Sequence, residues 1–204
     1  MRKLLLAVAA VAVMAIPAVS NAQLQLGARL GYGFAMGEAE AGFNQSDWVS
    51  GQIPFEIDLN YKFMKNLSVG AYFSYAYGMV GGTTKDACDA FNLDCSASGM
   101  RLGVQLAYDF SPGASFDPWV GLGFGYEWAT VSMDIVDVTA TGLEFASLQV
   151  GADWAMAKGF GLGPFVSWSF GQYGSADDGT GSVDIVNKGT HQLVQIGVRG
   201  LFSF

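Results

Sequence analysis

The chain has 204 residues, of which 51% are hydrophobic and only 14% are charged, with a formal net charge of −8. Soluble domains usually carry about 25% charged residues, so a composition this apolar is unusual for a soluble domain of this size. Basic residues are few and scattered, which excludes the electrostatic footprint of a nucleic-acid-binding protein.

Residues 1–22 have the composition of a secretory signal peptide. Arg2 and Lys3 form a positive start, an apolar stretch covers 4–19, and Ser20 and Ala22 are the small residues before the predicted cleavage point. The apolar stretch is short for a bilayer span, although an uncleaved anchor is the alternative. We therefore predict an exported mature chain that begins at Gln23 and forms one domain over 23–204.

Apolar and polar residues alternate with period two in eight segments, which predicts eight β-strands. The predicted strands cover residues 24–36, 53–63, 67–77, 100–110, 118–128, 148–156, 160–170 and 194–204. We expect a bulge near 143–146, where the alternation slips, and another near Pro164, which cannot donate a ladder hydrogen bond. Short turns and long links (37–52, 78–99, 129–142 and 171–191) alternate along the chain.

This layout predicts an all-β fold, an eight-stranded antiparallel up-and-down transmembrane β-barrel with the short turns on one rim and the long links on the other. The last strand runs to Phe204 and has to pair with the first strand to close the barrel. A soluble, lipocalin-like barrel with its apolar face inside is the alternative. The polar face is rich in glycine and poor in charge, which favours a narrow polar interior over a solvated exterior.

Counting residues from the ends of the strands predicts two groups of charges inside this barrel. Arg29, Asp58 and Arg199 fall at the same height on neighbouring strands, with Glu56 just above them. Arg101 and Glu127 fall at equal height on adjacent strands and are expected to pair. Charge in so narrow a space is stable only when it is paired. We interpret this lumen cluster as a polar plug, and the alternative is a gated or selective pore.

The sequence offers little catalytic or cofactor chemistry. Cys88 and Cys95 share one polar segment of an exported chain, so a disulfide is expected, with a metal site as the weaker alternative. The single histidine, His191, has no serine at a matching spacing and is interpreted as incidental. The glycine runs, such as the one at 121–125, alternate with apolar residues and therefore belong to a strand and not to a phosphate loop. We predict no catalytic residue, no cofactor and no metal site.

The long links and their edges are acidic. This excess of carboxylates indicates solubility, with divalent-cation binding or a surface-receptor role as alternatives. The acidic residues are Glu38, Glu40, Asp47, Asp86, Asp89, Asp94, Asp134, Asp137, Glu144, Asp177, Asp178 and Asp184, against the two basic residues Lys85 and Lys188.

Together, the predicted signal peptide, the eight strands, the segment Asp117-Pro118-Trp119-Val120-Gly121-Leu122-Gly123 and the terminal Phe204 carry a family resemblance. The chain resembles the small eight-stranded bacterial outer-membrane β-barrel superfamily of the OmpA-barrel, OmpX and OmpW types. Members of that superfamily include membrane anchors, adhesins and narrow channels for small hydrophobic molecules.

The asymmetry of short turns and long links, together with this resemblance, predicts a non-enzymatic outer-membrane protein, expected to be a monomer, whose acidic loops make surface or structural contacts. Its expected partners are outer-membrane lipid with lipopolysaccharide, and the outer-membrane assembly machinery, which reads the terminal aromatic Phe204. A narrow passive channel, porin-like or OmpW-like, for small or hydrophobic molecules is the alternative function.

Overall fold

The computed structural model describes residues 23–134 and 136–204, so the predicted signal peptide over 1–22 lies outside the described residues. Within these residues there are ten strands and two short helices. No helix in the described part of the chain is long and apolar enough to cross a membrane. The strands are β1 (Gln23–Glu40), β2 (Phe43–Asn44), β3 (Val49–Lys62), β4 (Leu67–Val80), β5 (Cys95–Asp109), β6 (Phe116–Met133), β7 (Val136–Ala157), β8 (Phe160–Asp177), β9 (Ser182–Asp184) and β10 (His191–Ser203). The helices are α1 (Gln45–Trp48) and α2 (Gly82–Phe91).

Eight of the strands close into a ring in which each strand is antiparallel to both neighbours. The closing seam joins β1 to β10, with paired residues running from Gln25–Ser203 up to Gly37–His191. The short strands β2 and β9 extend the rim by pairing with the upper ends of β1 and β8. The predicted eight-stranded antiparallel barrel is confirmed.

The period-two alternation decides which side chains face outward. Leu30 on β1 and Leu102 on β5 are 56% and 53% exposed, although both lie in the middle of a strand. On the opposite face, Arg29 and Asp58 are 3% and 0% exposed. The barrel is therefore apolar outside and polar inside, which suits a bilayer and not water, and the lipocalin-like alternative is wrong.

The strands extend further beyond the bilayer than the sequence predicts. The expected loop over 129–142 is a hairpin in which β6 ends at Met133 and β7 begins at Val136. The hydroxyls of Thr130 and Thr139 bond across this hairpin at 2.9 Å, and Val131 is buried on its inner side. Polar Thr and Ser residues continue the ladder here, so the apolar alternation ends before the strands do.

One predicted bulge is present and the other is absent. The register between β7 and β8 shifts between Glu144 and Ala146, as the sequence predicts for that region. At Pro164 the prediction is wrong, because the ladder of β8 to β10 keeps its register through that residue. Proline lacks a backbone N–H, so Pro164 removes one hydrogen bond from the ladder. The loss of one bond does not require an inserted residue.

The link between β4 and β5 contains α2 and the predicted disulfide. Cys88 in α2 and Cys95 at the start of β5 are joined, with an S–S distance of 2.04 Å. Helix α2 ends at Phe91, and the next residue, Asn92, has a left-handed backbone conformation (φ 53°). The disulfide therefore fastens this helix to the end of the barrel wall that carries the long links, which is the extracellular end in outer-membrane barrels, while the short turns lie at the periplasmic end.

Candidate functional site: the closed lumen

The lowest layer of the lumen is built from two ion pairs at the periplasmic end. Lys62 at the end of β3 binds Asp109 at the end of β5, with Nζ and Oδ2 2.5 Å apart. Arg199 on β10 pairs with Asp153 on β7. The guanidinium of Arg199 also lies 3.8 Å from the ring centroid of Trp119, a cation–π contact. Below this layer a vestibule of about 700 Å³ opens to the periplasm.

The central layer is organised around Arg29 of β1. Its Nη1 lies 2.9 Å from Oε1 of Glu56, and its Nε lies 3.1 Å from Oδ1 of Asp58. The same Nη1 donates to Oε1 of Gln149 at 2.8 Å, which reaches in from β7 on the far wall. One guanidinium thus connects β1, β3 and β7, and the Glu56 and Asp58 carboxylates compensate its charge.

The upper layer is organised in the same way around Arg101 of β5. Its Nη1 lies 3.1 Å from Oε1 of Glu144, and its Nη2 donates to Oε1 of Gln195 at 3.1 Å. Glu56 links the two layers, since its Oε2 lies 3.7 Å from Arg101. The hydroxyl of Tyr72 donates to Glu144 from the opposite side.

Two glycines make room for Tyr72. A Cβ atom at Gly103 or at Gly125 would overlap the Tyr72 hydroxyl oxygen, so no larger residue fits at either position. From the sequence, the inward glycines have two alternative uses: they receive long side chains from across the lumen, or they leave small water pockets. At Gly103 and Gly125 the space is filled by the Tyr72 side chain.

At the extracellular mouth, His191 of β10 and Glu127 of β6 form a pair. His191 Nε2 and Glu127 Oε1 are 2.6 Å apart, and the imidazole stacks on the ring of Tyr173 with centroids 4.1 Å apart. Helix α1 lies over this group, because Gln45 Nε2 donates to the Tyr173 hydroxyl at 3.1 Å. Trp48 at the end of α1 contacts the edge of the same ring at 6.0 Å between centroids. The helix therefore caps the barrel.

The structure brings together some of the predicted charges and separates others. Arg29, Glu56 and Asp58 are in contact. Arg199 does not join them, because Arg29 already pairs with Asp58 and Asp153 is available to Arg199 across the adjacent wall.

The expected Arg101–Glu127 pair does not form, although the two residues are direct partners in the ladder of β5 and β6. The long arginine side chain crosses the lumen to Glu144, and Glu127 binds His191. His191, interpreted from sequence as incidental, is buried within the barrel mouth.

Sequence reasoning missed several residues of the lumen. Tyr72, Gln105, Gln149 and Gln195 all occupy inward positions of the alternation, so the period-two pattern could have found them. From the sequence, Glu144 was grouped with the acidic residues of the long links, but the Glu144 side chain is fully buried in the lumen. The bulge beside it reverses the alternation at that point, which hides its inward orientation.

The extracellular links and the strand ends beside them carry most of the remaining acidic residues. Between β8 and β9, the Thr180 hydroxyl and backbone N–H both donate to Asp178 Oδ1, at 2.7 Å and 3.0 Å. These bonds stabilise the charged carboxylate and lower the pKa of Asp178 below its usual value. Among the described residues, no three or more His, Cys, Asp or Glu side chains are grouped to hold a metal ion.

An eight-stranded antiparallel ring with an apolar exterior and a charge-paired interior defines a transmembrane β-barrel of the outer-membrane class. A model of the family "Outer membrane protein beta-barrel domain" matches residues 4–198, and the chain belongs to this family. A search of curated proteins found no match.

Three solved structures illustrate the likeness of fold. The outer membrane protein OprG from Pseudomonas aeruginosa is 13% identical with a TM-score of 0.54, covering 89% of this chain and 95% of its own. A major outer membrane protein from Thermus thermophilus is 13% identical with a TM-score of 0.52, covering 90% and 99%. The outer membrane protein AlkL, solved in DMPC lipid bilayers, is 14% identical with a TM-score of 0.51, covering 93% and 95%.

Proposed function

We propose that this chain is a non-enzymatic outer-membrane barrel with a closed lumen, whose acidic extracellular loops make surface or structural contacts. The observation that carries the proposal is the stack of charge-paired layers across the barrel. Arg29 and Arg101 span the lumen and reach carboxylates and amides on opposite walls. Moving a solvated ion through these layers would separate buried ion pairs, at a cost of about 3–5 kcal/mol for each pair broken.

The surroundings of the histidine support the non-enzymatic part of the proposal. His191 is held by Glu127, an arrangement that also orients histidines in hydrolases. In the described chain, however, no Ser, Thr or Cys side chain hydrogen-bonds to His191, whose Nδ1 has no partner. A general base without a nucleophile or a route to substrate does not make a hydrolase.

The rims of the barrel support the proposed partners. The extracellular links carry far more carboxylates than amines, so contact with the phosphates of lipopolysaccharide requires bridging divalent cations. At the other rim, Phe204 bonds through its N–H to the Leu24 carbonyl at 2.9 Å, and its side chain is 74% exposed. That exposure leaves the terminal aromatic accessible to the assembly machinery.

Because β1 and β10 pair along the seam, the ring leaves no long strand edge for self-association among the described residues, which supports a monomer.

Planar-bilayer recording of the mature chain, 23–204, tests the closed lumen. Correct folding is first established by faster migration of the unboiled protein on a gel. The proposal predicts no discrete conductance from folded protein, while a conducting porin reconstituted at the same protein-to-lipid ratio serves as the positive control. Reproducible unitary conductance would refute the closed lumen.

A narrow passive channel is the second candidate, and the periplasmic vestibule favours it. The vestibule of about 700 Å³ already opens the lower lumen as far as Asp153. The lowest ion-pair layer and the layers around Arg29 and Arg101 then separate it from the mouth. Conductance in the recording above, or uptake of a small hydrophobic solute by vesicles that contain the protein, would decide for the channel.

A further inference from the structure

The periplasmic vestibule has the size of a small-molecule site, and a closed lumen leaves it without a role. Its volume of about 700 Å³ lies within the range of such sites, about 300–1,000 Å³. On one side its lining consists of the small residues Ala155, Ala157 and Gly161, with Leu201 of β10 beside them. Ala155 and Gly161 are direct partners in the ladder of β7 and β8, so two small residues adjoin and leave open, apolar space.

On the other side of the vestibule, two opposite charges have no ion-pair partner among the described residues. Lys65 is exposed in the turn between β3 and β4. Asp117 at the start of β6 is half-buried, and its Oδ1 accepts the Ser111 N–H at 2.8 Å. The other charges of the lining belong to the two ion pairs of the lowest lumen layer. The lining therefore keeps one free positive charge and one free negative charge.

The backbone separates these two charges by the width of two strand spacings. The end of β5 lies between them: the Asp109 N–H donates to the carbonyl of Asn66, next to Lys65, at 2.8 Å, and β6 pairs with β5 on its other side. Two spacings of about 4.8 Å put about 10 Å between the backbones of Lys65 and Asp117. An extended peptide of two or three residues spans about 7–10 Å, so its two ends can reach both side chains.

We propose that the vestibule binds a short zwitterionic peptide, of two or three residues, from the periplasm. The peptide carboxylate pairs with Lys65, the peptide ammonium pairs with Asp117, and an apolar side chain packs against Leu201 and the two alanines. A ligand with one charge of each sign is complementary to this lining, whereas an anion or a cation alone pairs with only one of the two groups. The site lies below the lowest ion-pair layer, so the proposal does not depend on whether the lumen conducts.

Binding is measured with the dipeptide alanyl-leucine. The chain 23–204 is placed in phosphatidylcholine nanodiscs, which leave both faces of the membrane open to solution, and affinity is obtained from saturation-transfer NMR of the peptide signals. The proposal predicts saturable binding of alanyl-leucine. N-acetyl-alanyl-leucine amide has the same side chains without either charge and should bind at least about fivefold more weakly. No binding of alanyl-leucine, or equal binding of the blocked peptide, would overturn the proposal.

Two variants and a matched control locate the site. Lys65→Gln and Asp117→Asn each remove one free charge and should each weaken alanyl-leucine binding by about fivefold. Lys158→Gln removes an equally exposed lysine from the turn between β7 and β8, outside the lining, and should leave binding unchanged. Lys65→Gln changes an exposed turn residue, so it decides the question if Asp117→Asn does not fold.

A peptide analogue tests which end of the ligand meets Lys65. Alanyl-leucine amide lacks the carboxylate, so it should bind Lys65→Gln and the parent protein equally, while Asp117→Asn should still weaken its binding. Equal affinity of alanyl-leucine for Lys65→Gln and Lys158→Gln would place any peptide binding elsewhere on the protein, and the proposal would be wrong.

Discussion

Replacing Arg29 by methionine tests the pairing of charges in the lumen. Arg29 is the nearest cation to both Glu56 and Asp58, at 2.9 Å and 3.1 Å. Without it, Glu56 retains only Arg101 at 3.7 Å, and Asp58 retains only the amide of Asn60. Methionine fills similar volume, so the change removes charge and hydrogen bonds without opening a large cavity.

The expected loss in the free energy of unfolding follows from the two carboxylates, Glu56 and Asp58, that lose their closest cation. Removing one partner of a buried pair costs about 3–5 kcal/mol, and here two carboxylates lose their closest cation, so we expect at least about 4 kcal/mol. With a slope of about 2 kcal/mol per molar urea, the midpoint should fall by about 2 M. Unfolding from lipid vesicles is followed by tryptophan fluorescence, since the chain contains five Trp residues.

Two further variants serve as references for the loss of stability. Asp58→Asn leaves Arg29 paired with Glu56, so it should lower stability by only about 1–2 kcal/mol. Asp184→Asn, on exposed β9, should change stability by less than about 0.5 kcal/mol. If Arg29→Met unfolds at the same urea concentration as Asp184→Asn, the polar face is solvated and the assignment of inside and outside is wrong.

Three further predictions concern the extracellular half. The double variant Cys88→Ser with Cys95→Ser should lower the urea midpoint by about 1 M, since closing this short loop contributes about 2.5 kcal/mol; an unchanged midpoint would mean that the loop unfolds independently of the barrel. Gly171→Ala should separate the mouth pair, because its Cβ would overlap Glu127 Oε1 and lie 2.5 Å from His191 Nε2; an unchanged His191 ring spectrum would contradict this. Thr180→Val should raise the pKa of Asp178 toward its ordinary value, because the hydroxyl bond to the carboxylate is lost; an NMR titration that gives the same pKa as the parent protein would be inconsistent with that bond.

The barrel itself could be predicted because its determinants are local. Alternation such as that in 53–63 specifies both the strand and the side on which each residue lies, and the outward exposure of Phe55 beside buried Glu56 follows directly. The seam was predictable for the same reason, since the first and last strands had to pair. The strand ends were not, because Thr and Ser beyond the bilayer continue the ladder without an apolar signal.

The lumen contacts were only partly predictable, because the reach of a side chain does not follow from its strand position. Counting heights placed Arg29 near Asp58, which lie on adjacent strands. It failed for Arg101, whose side chain passes its ladder partner Glu127 and ends on β7. Glu144 was instead grouped with the loop acids, since one inserted residue in a bulge reverses the inward and outward faces there.

Hydrogen exchange of the arginine side chains can show whether the paired layers fill the lumen. After residue 22, the sequence contains only Arg29, Arg101 and Arg199, and all three belong to these layers. The Nε–H signals of the chain 23–204 in lipid therefore report on the lumen alone. Once the sample is moved into deuterated buffer, a closed lumen predicts that these signals persist far longer than those of a free arginine side chain at the same pH. Loss of all three signals at the rate of a free arginine side chain would mean a water-filled lumen and would contradict the closed lumen.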